Sequence, residues 1–294
     1  MEFLTVAHSL TNFLFMGCWN KDGCTASLGQ AAVARAIRRE PVGIPLFLGG
    51  DNIYPDKHDG KKTYPPQRVE EGVACLIRGA PRQIYAALGN HNIARKDVLE
   101  AELALGLWTI RPQSYCIQFT NRAVVVLNSN PLDETELGED TAHVLEALEQ
   151  AIAHLKKSRI PYILMMHHPL IAFKKKAYYL MPQHAELLNR LVVYPPEIVL
   201  VADTHNYQNG IVTWHGIPIR QIVVGTGGAD LDPIAALGSN RRLGELKAVD
   251  FAGKYIVEDA MVAHGYLRVS QHDTEFVEVR SSASRSPTRK SKRR

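Results

Sequence analysis

Short apolar runs that end on glycine or a polar residue recur along the chain, and between them lie stretches with apolar residues at helical spacing. Phe13 to Met16 reads as a buried strand, closed by Gly17-Cys18-Trp19-Asn20. Leu28, Val33, Ala36 and Ile37 fall on one face of a helix from about Ala26 to Arg39, which Pro41 and Gly43 stop. A second strand, Pro45 to Leu48, leads into Gly49-Gly50-Asp51-Asn52-Ile53-Tyr54. Residues 55–66, rich in Pro, Lys, Asp and Gly, read as a surface loop beside it. A helix over about Gln67–Arg78 precedes a strand, Gln83–Leu88, that ends in Gly89-Asn90-His91-Asn92, and a helical stretch follows near Lys96–Leu105.

The second half continues the plan. Ser114–Thr120 and Ala123–Asn128, joined by Asn121-Arg122, read as a hairpin. Asp140 is placed to cap a long helix to Lys157, with Val144, Leu145, Leu148, Ile152 and Leu155 at helical spacing. Tyr162 to Met166 delivers His167-His168-Pro169. A helix near Gln183–Val193 then precedes Glu197–Val201, which delivers Asp203-Thr204-His205. Further strands are expected at Ile211–Trp214, Ile217–Val224, Gly265–Ser270 and Phe276–Val279, with loops over one face in the less periodic region 229–262. Helices and strands alternate early and strand pairs dominate late. That order predicts an α/β four-layer sandwich, two mostly mixed β-sheets flanked by helices, and the polar residues that close the strands put a candidate metal site at the strands' carboxyl ends.

Composition changes this picture in one place. The 294 residues are 46% hydrophobic and 22% charged, ordinary for a globular chain with ample core. The net charge of +4 is uneven: residues 281–294 carry six Lys/Arg and no acid, leaving 28 basic against 30 acidic groups elsewhere. Residues 1–280 therefore read as one near-neutral domain and 281–294 as a disordered basic tail. Its default is a solvated end; the alternatives are a nuclear address or weak electrostatic contact with nucleic acid or acidic surfaces. Without aromatic interleaving it is no sequence-specific nucleic-acid reader. Four scattered cysteines, Cys18, Cys24, Cys75 and Cys116, fit a reducing compartment better than a disulfide framework. The N-terminal MEFLTVAHSLTNFLFMG lacks a basic flank and a cleavage site, and reads as a first strand rather than a signal peptide. No apolar run reaches the roughly eighteen residues of a membrane span. The resulting expectation is an intracellular protein, cytoplasmic or nuclear.

The polar residues at the strand ends are Cys18, Asp51, Tyr54, Asn90, His91, His167, His168, Asp203 and His205. Taken singly, each is as ordinary as any turn residue. Together they offer carboxylate, imidazole and amide oxygen, the ligands of hard and borderline divalent metals. One carboxylate can bridge two ions about 3.5–4 Å apart, lowering the pKa of water while a phosphate is held for in-line attack.

Gly50-Asp51-Asn52-Ile53-Tyr54, Gly89-Asn90-His91, His167-His168-Pro169 and the block around Asp203-Thr204-His205 resemble, in order, the motifs of the calcineurin-like metallophosphoesterases. Within that superfamily the resemblance is to the purple acid phosphatases, with their Gly-Asp-Asn-x-Tyr, Gly-Asn-His, Gly-His-x-Pro and Gly-His-x-His. Gly17-Cys18-Trp19-Asn20 stands where that family has Gly-Asp-Trp-Gly, so the likeness spans roughly residues 10–280. It implies two divalent or trivalent ions, of iron, zinc or manganese. Asp51 would bridge them, Tyr54 and His205 would bind the first, and Asn90 and His167 the second. His91 would stand above a phosphorylated substrate as general acid.

Three positions depart from the family's pattern. Cys18 replaces the first aspartate and Asp203 the first histidine of the last block; both remain candidate ligands, the thiolate favouring softer ions and the carboxylate harder ones. Asn92 replaces the acid that orients the catalytic histidine. Its amide could accept a hydrogen bond from His91 without raising its basicity. His168 and the run Gly225 to Gly228 are read as structural support. The implied function is metal-dependent hydrolysis of phosphate esters, phosphomonoesters foremost. The alternatives are a catalytically weakened relative serving as a binding or scaffolding module, and a phosphodiesterase or nuclease whose tail tethers substrate.

Overall fold

The computed structural model of the chain describes residues 1–21, 23, 27–54, 56–58, 61–63, 67–94, 96–134, 138–175, 177–234, 241, 243–271 and 273–280. The basic stretch 281–294 and Cys24 lie outside the described residues. Strands and helices are numbered in chain order. Among the described residues nine strands form the larger sheet, in spatial order β1 (Glu2–Thr5), β7 (Tyr115–Gln118), β8 (Ala123–Val126), β9 (Tyr162–Met165), β12 (Ile198–Val201), β14 (Ile217–Val224), β13 (Tyr207–Trp214), β16 (Lys254–Met261) and β15 (Gly244–Leu246). Its centre, β8-β9-β12-β14, is parallel, and its far flank antiparallel. The smaller sheet runs β18 (Thr274–Glu278), β17 (Gly265–Val269), β2 (Phe13–Met16), β3 (Leu46–Leu48) and β6 (Ile84–Ala86), with β2, β3 and β6 parallel. Two hairpins stand apart: β4 (Asp56–His58) with β5 (Lys61–Thr63), and β10 (Ile171–Phe173) with β11 (Tyr178–Leu180).

The helices are α1 (Leu28–Ile37), α2 (Gln67–Ile77), α3 (Asn90–Ile93), α4 (Lys96–Ala104), α5 (Glu139–Ser158) and α6 (His184–Leu191). Period-two alternation sorts each strand's side chains onto two faces. On β2, Phe13 and Phe15 enter the layer between the sheets, while Leu14 and Met16 join Val33 and Ile37 of α1 and Val69 and Val73 of α2. On β9, Ile163 and Met165 face the smaller sheet. Tyr162 and Leu164 pack with Leu145, Leu148 and Ile152 of α5 and Leu187 and Leu191 of α6. The order is helices, sheet, sheet, helices, the four layers expected from the sequence.

Several local expectations need correction. The N-terminal stretch forms two strands, β1 at the edge of the larger sheet and β2 in the smaller, because the chain turns where Leu10 N–H donates to Asn121 Oδ1. Part of the supposed loop 55–66 pairs as β4 and β5. The region 229–262 contains β15 and β16; the β16–β13 ladder slips at a bulge by Asn209 and Gly210, which breaks the alternation that would reveal it. Gly138, not Asp140, occupies the cap position of α5, and Asp140 lies in its first turn, where the helix dipole still favours a carboxylate. Cys75 is disulfide-bonded, with Cys18 and Cys116 free. Sequence spacing carries no information on which thiols meet in space, and the bond removes the cysteine-based case for a reducing compartment. Among the described residues no helix is long and apolar enough to cross a membrane.

Phe47 lies in the inter-sheet layer, stacked on Tyr85 at 4.9 Å and edge-on to Phe13 at 5.1 Å. Phe47→Ala is expected to cost about 3–5 kcal/mol, read as a lower urea midpoint with an unchanged m-value. A shift below about 1 kcal/mol would mean that the two sheets do not share this packed layer.

Candidate metal centre

Four of the strand ends meet through their backbones, in two pairs, β2 with β3 and β9 with β12. Cys18 N–H donates to the Gly50 carbonyl (3.1 Å), Gly49 N–H to that of Met16 (2.8 Å) and Ala202 N–H to that of His167 (2.8 Å). Directly after β2, β3 and β12 the chain reverses through left-handed backbone at Cys18 (φ 53°), Asp51 (φ 54°) and Asp203 (φ 49°). Such conformations are costly for residues with a Cβ and concentrate at functional sites. The close approach also needs glycine. A Cβ on Gly17 would lie 2.4 Å from that of Ala202, and one on Gly50 (φ 92°) 2.7 Å from both Gly89 N and His167 Nδ1.

Two groups of ligand-capable atoms result. Those of Cys18, Asp51 and His205 lie within 4.8 Å of one another, as do those of His167, His168 and Asp203. Asp51 faces both groups, its Oδ1 being 3.5 Å from His167 Nε2, which in turn stands 3.8 Å from Asp203 Oδ1. Tyr54 Oη is 3.2 Å from His205 Nε2, and its ring lies 4.5 Å from that of His91. His91 is half-buried at the rim, and Asn90 opens α3 as an exposed residue. The structure thus gathers Cys18, Asp51, Tyr54, His167, Asp203 and His205 into one cleft with His91 beside it.

Hydrogen bonds fix the histidine tautomers. His167 Nδ1 lies 2.8 Å from the Gly49 carbonyl and His205 Nδ1 2.7 Å from that of Asp230. A carbonyl only accepts, so each Nδ1 carries the hydrogen, and in the neutral ring each Nε2 turns its lone pair into the cleft. Metal-binding histidines are held in this way. His167 Nε2 is buried without a hydrogen-bond partner and points at two carboxylate oxygens. Lone pair against carboxylates is repulsive unless a cation lies between, so the donor set fits a metal ion. His168 differs. Ser129 Oγ accepts from the backbone N–H of both His167 and His168, which leaves its hydroxyl hydrogen for His168 Nδ1 at 3.0 Å. His168 Nε2–H is then turned to Asp133, 3.6 Å away. His168 is accordingly a supporting residue despite its place in the second group.

Asn92 does not serve His91 as anticipated. Its Oδ1 accepts from the N–H groups of Gly89 (2.8 Å), Asp51 (2.9 Å) and Asn52 (3.5 Å), which saturates the oxygen. Its Nδ2 donates to Glu102 Oε2 (2.6 Å), whose other oxygen accepts from Asn52 Nδ2 (3.0 Å). Trp19 Nε1–H donates to Asn52 Oδ1 (3.0 Å). One buried carboxylate therefore ties the Asp51 turn to the Asn90 turn, while His91 N–H donates to Asp51 Oδ1 (3.1 Å). Motif reading missed Glu102. The available signal was its position between Leu99 and Leu103, on the apolar face of α4.

Burial raises the Cys18 thiol well above its ordinary pKa, and the charges of Asp51 and Asp203 add to this. Burial does the same to Tyr54, with Asp51 and Cys18 adding. Burial opposes ionisation of Asp203, but His167, His168 and Lys174 outweigh it and lower its pKa. Burial and His167 lower His168 to about 4. Burial lifts Glu102 to about 7, against the hydrogen bonds from Asn92 and Asn52.

A four-layer sandwich carrying polar clusters at its strand ends is a fold with known examples. No family model matches the chain, and no curated protein matches its sequence. Among solved structures it is similar to GAP50, the anchor in the inner membrane complex of Plasmodium, with a TM-score of 0.54, 14% identity, and 92% of this chain and 89% of that one covered. It is also similar to a dimetal phosphatase from Danio rerio, with a TM-score of 0.47, 10% identity, and 92% of this chain and 99% of that one covered. At 14% identity the likeness to GAP50 shows the fold alone.

Glu102 yields a pH test. Its raised folded-state pKa means the native protein holds the proton more tightly, so this contribution is complete below about 4.5 and lost as pH rises through about 7. The stability advantage of wild type over Glu102→Gln should therefore narrow between pH 5 and pH 8 in urea melts. A gap independent of pH would show that Glu102 titrates alike in both states.

Proposed function

We propose that the chain is a metal-dependent phosphoesterase that acts on phosphate monoesters. The observation that carries this reading is the place of Asp51. It shares one ligand group with Cys18 and His205, and stands 3.5 Å from the orphaned His167 Nε2 of the other. Cys18, Tyr54 and His205 would hold one ion with Asp51, and His167, Asp203 and Asn90 the other. Bound cations would supply neutralisation of phosphate oxygens and a lowered pKa for water. His91, half-buried beside Tyr54, would donate a proton to the departing oxygen. Cys18 and two imidazoles favour zinc or a similar borderline ion, while Asp51, Asp203 and Tyr54 also accept iron or manganese.

A second reading, a scaffold of the same fold without turnover, is favoured by one observation. Asn92 spends its carbonyl on backbone N–H groups, so it does not orient His91. GAP50, whose fold this chain shares, is described as an anchor.

Turnover of p-nitrophenyl phosphate with added Zn, Mn or Fe separates the two readings. Asp51→Asn should lower it by at least roughly 100-fold, the upper end of what loss of an outer partner of a metal site costs. Wild-type turnover no higher than that of Asp51→Asn with any of these ions would leave only the scaffold. Cys18→Asp combined with Asp203→His should raise turnover or shift the preferred ion. If neither changes, these two side chains do not touch the ions.

A further inference from the structure

The two halves of the cleft differ in what neutralises them. On the Cys18–Asp51–His205 side, Tyr54 Oη lies against His205 Nε2. On the other side a lysine already stands at the carboxylate: Lys174 Nζ is 3.5 Å from Asp203 Oδ2, while Asp203 Oδ1 faces His167 Nε2.

Lys174 is not a surface residue that happened to swing in. It follows β10, whose two ends are each fastened by a buried glutamine of the larger sheet. Gln221 of β14 accepts from Leu170 N–H (2.7 Å) and donates to the Ile171 carbonyl (2.7 Å). Gln208 of β13 accepts from Phe173 N–H (2.9 Å) and donates to the Phe173 carbonyl (2.9 Å). Lys174 N–H closes the hairpin on the Ala177 carbonyl (3.0 Å). Its ammonium lies over the Tyr179 ring at 4.8 Å, and Tyr179 Oη–H donates to Asp133 Oδ1 (2.6 Å). Asp133 in turn faces His168 Nε2. The hairpin thus delivers a cation to Asp203 along a path set at every step by backbone or ring contacts. The side chain remains 42% exposed, free enough to move away.

We propose that the Lys174 ammonium is the resident counter-charge of Asp203 and competes with a metal ion at the His167 half. The protein then binds one ion tightly, at Cys18, Asp51 and His205, and a second more weakly, only as Lys174 is displaced. The inference rests on the two-ion reading above and names Lys174 as the residue that sets the order of loading. Electrostatics supports it. His168 is turned to Asp133, so His167 and Asp203 are the side chains of the second group left for an ion. An ion entering there meets a positive charge within the 4–6 Å over which charges shift one another's equilibria strongly.

The test counts bound zinc. Full-length protein stripped with chelator is dialysed against graded free Zn²⁺, and bound metal is measured by elemental analysis. Wild type should take up the first ion at least about tenfold more tightly than the second, the scale on which outer partners tune metal affinity. Lys174→Met, at a half-exposed position, should tighten the second ion about tenfold or more and leave the first unchanged. Lys174→Arg, which keeps the charge, should match wild type. Circular dichroism confirms that each variant is folded. Two ions of like affinity in wild type, or identical curves for wild type and Lys174→Met, overturn this inference and leave the phosphoesterase reading standing. Zinc uptake by wild type no greater than by Asp51→Asn overturns both.

Discussion

The turn at Asp51 decides where every other group in the cleft can stand. A carboxylate can face two ligand groups only if the chain reverses as soon as β3 ends, and here it does so at φ 54°. That backbone costs an L-residue about 1–2 kcal/mol. Asn92 Oδ1 accepts the Asp51 N–H, and Asp51 Oδ1 accepts the His91 N–H, so the strained residue is held from both sides. Asn92 is held in turn by Glu102, and Glu102 by its burial on α4. The support reaches back into the body of the fold, since β3 carries Phe47 into the inter-sheet layer two residues before the glycines begin. Stability and site geometry are therefore coupled through one short strand.

A second consequence of the same geometry is asymmetry. Both cleft-facing imidazoles are anchored alike, Nδ1 on a backbone carbonyl and Nε2 inward. Their surroundings are not alike. Cys18 and Tyr54 are pushed towards their neutral forms by burial, so without a cation the first half carries mainly the charge of Asp51. The second half carries an ionised Asp203 with a lysine beside it. Were ions to bind, charge at one end would be created by release of protons to solvent, whereas at the other it is already balanced. A neutral thiol and phenol that must ionise and a carboxylate that must change partners respond differently to pH and to ionic strength.

The sequence shows the architecture wherever a strand ends on its own functional residue. Phe13–Met16, Leu46–Leu48, Tyr162–Met165 and Ile198–Val201 are apolar throughout, end abruptly, and deliver Cys18, Asp51, His167 and Asp203. It fails where structure depends on what lies opposite. β16 is hidden because its alternation breaks where the ladder slips between Asn209 and Gly210 of the neighbouring strand, at which a Cβ on Gly210 would lie 2.5 Å from the Ile256 carbonyl oxygen. Glu102, Lys174 and Ser129 belong to no motif; each acts through a residue distant in sequence, and only the folded chain brings them together. Asn92 is the instructive case. Its place in the motif suggested a partner for His91, whereas the two backbone N–H groups nearest it claim its oxygen first.

Left-handed backbone at Cys18 and Asp203 bears on whether this cleft is a relic. Glycine would adopt φ near 50° without steric cost and would relieve about 1 kcal/mol or more at each position. A fold retained for its outer surface alone has no use for a buried thiol and a carboxylate in strained turns beside other ligand-capable side chains. Burial, and then the charges of Asp51 and Asp203, raise the cost of ionising the Cys18 thiol. That cost would be offset by a bound cation, and strain of this kind persists where a side chain must be aimed. The two changes from the resembled motif thus keep, at both positions, a side chain with a donor atom that lies among other ligand-capable groups.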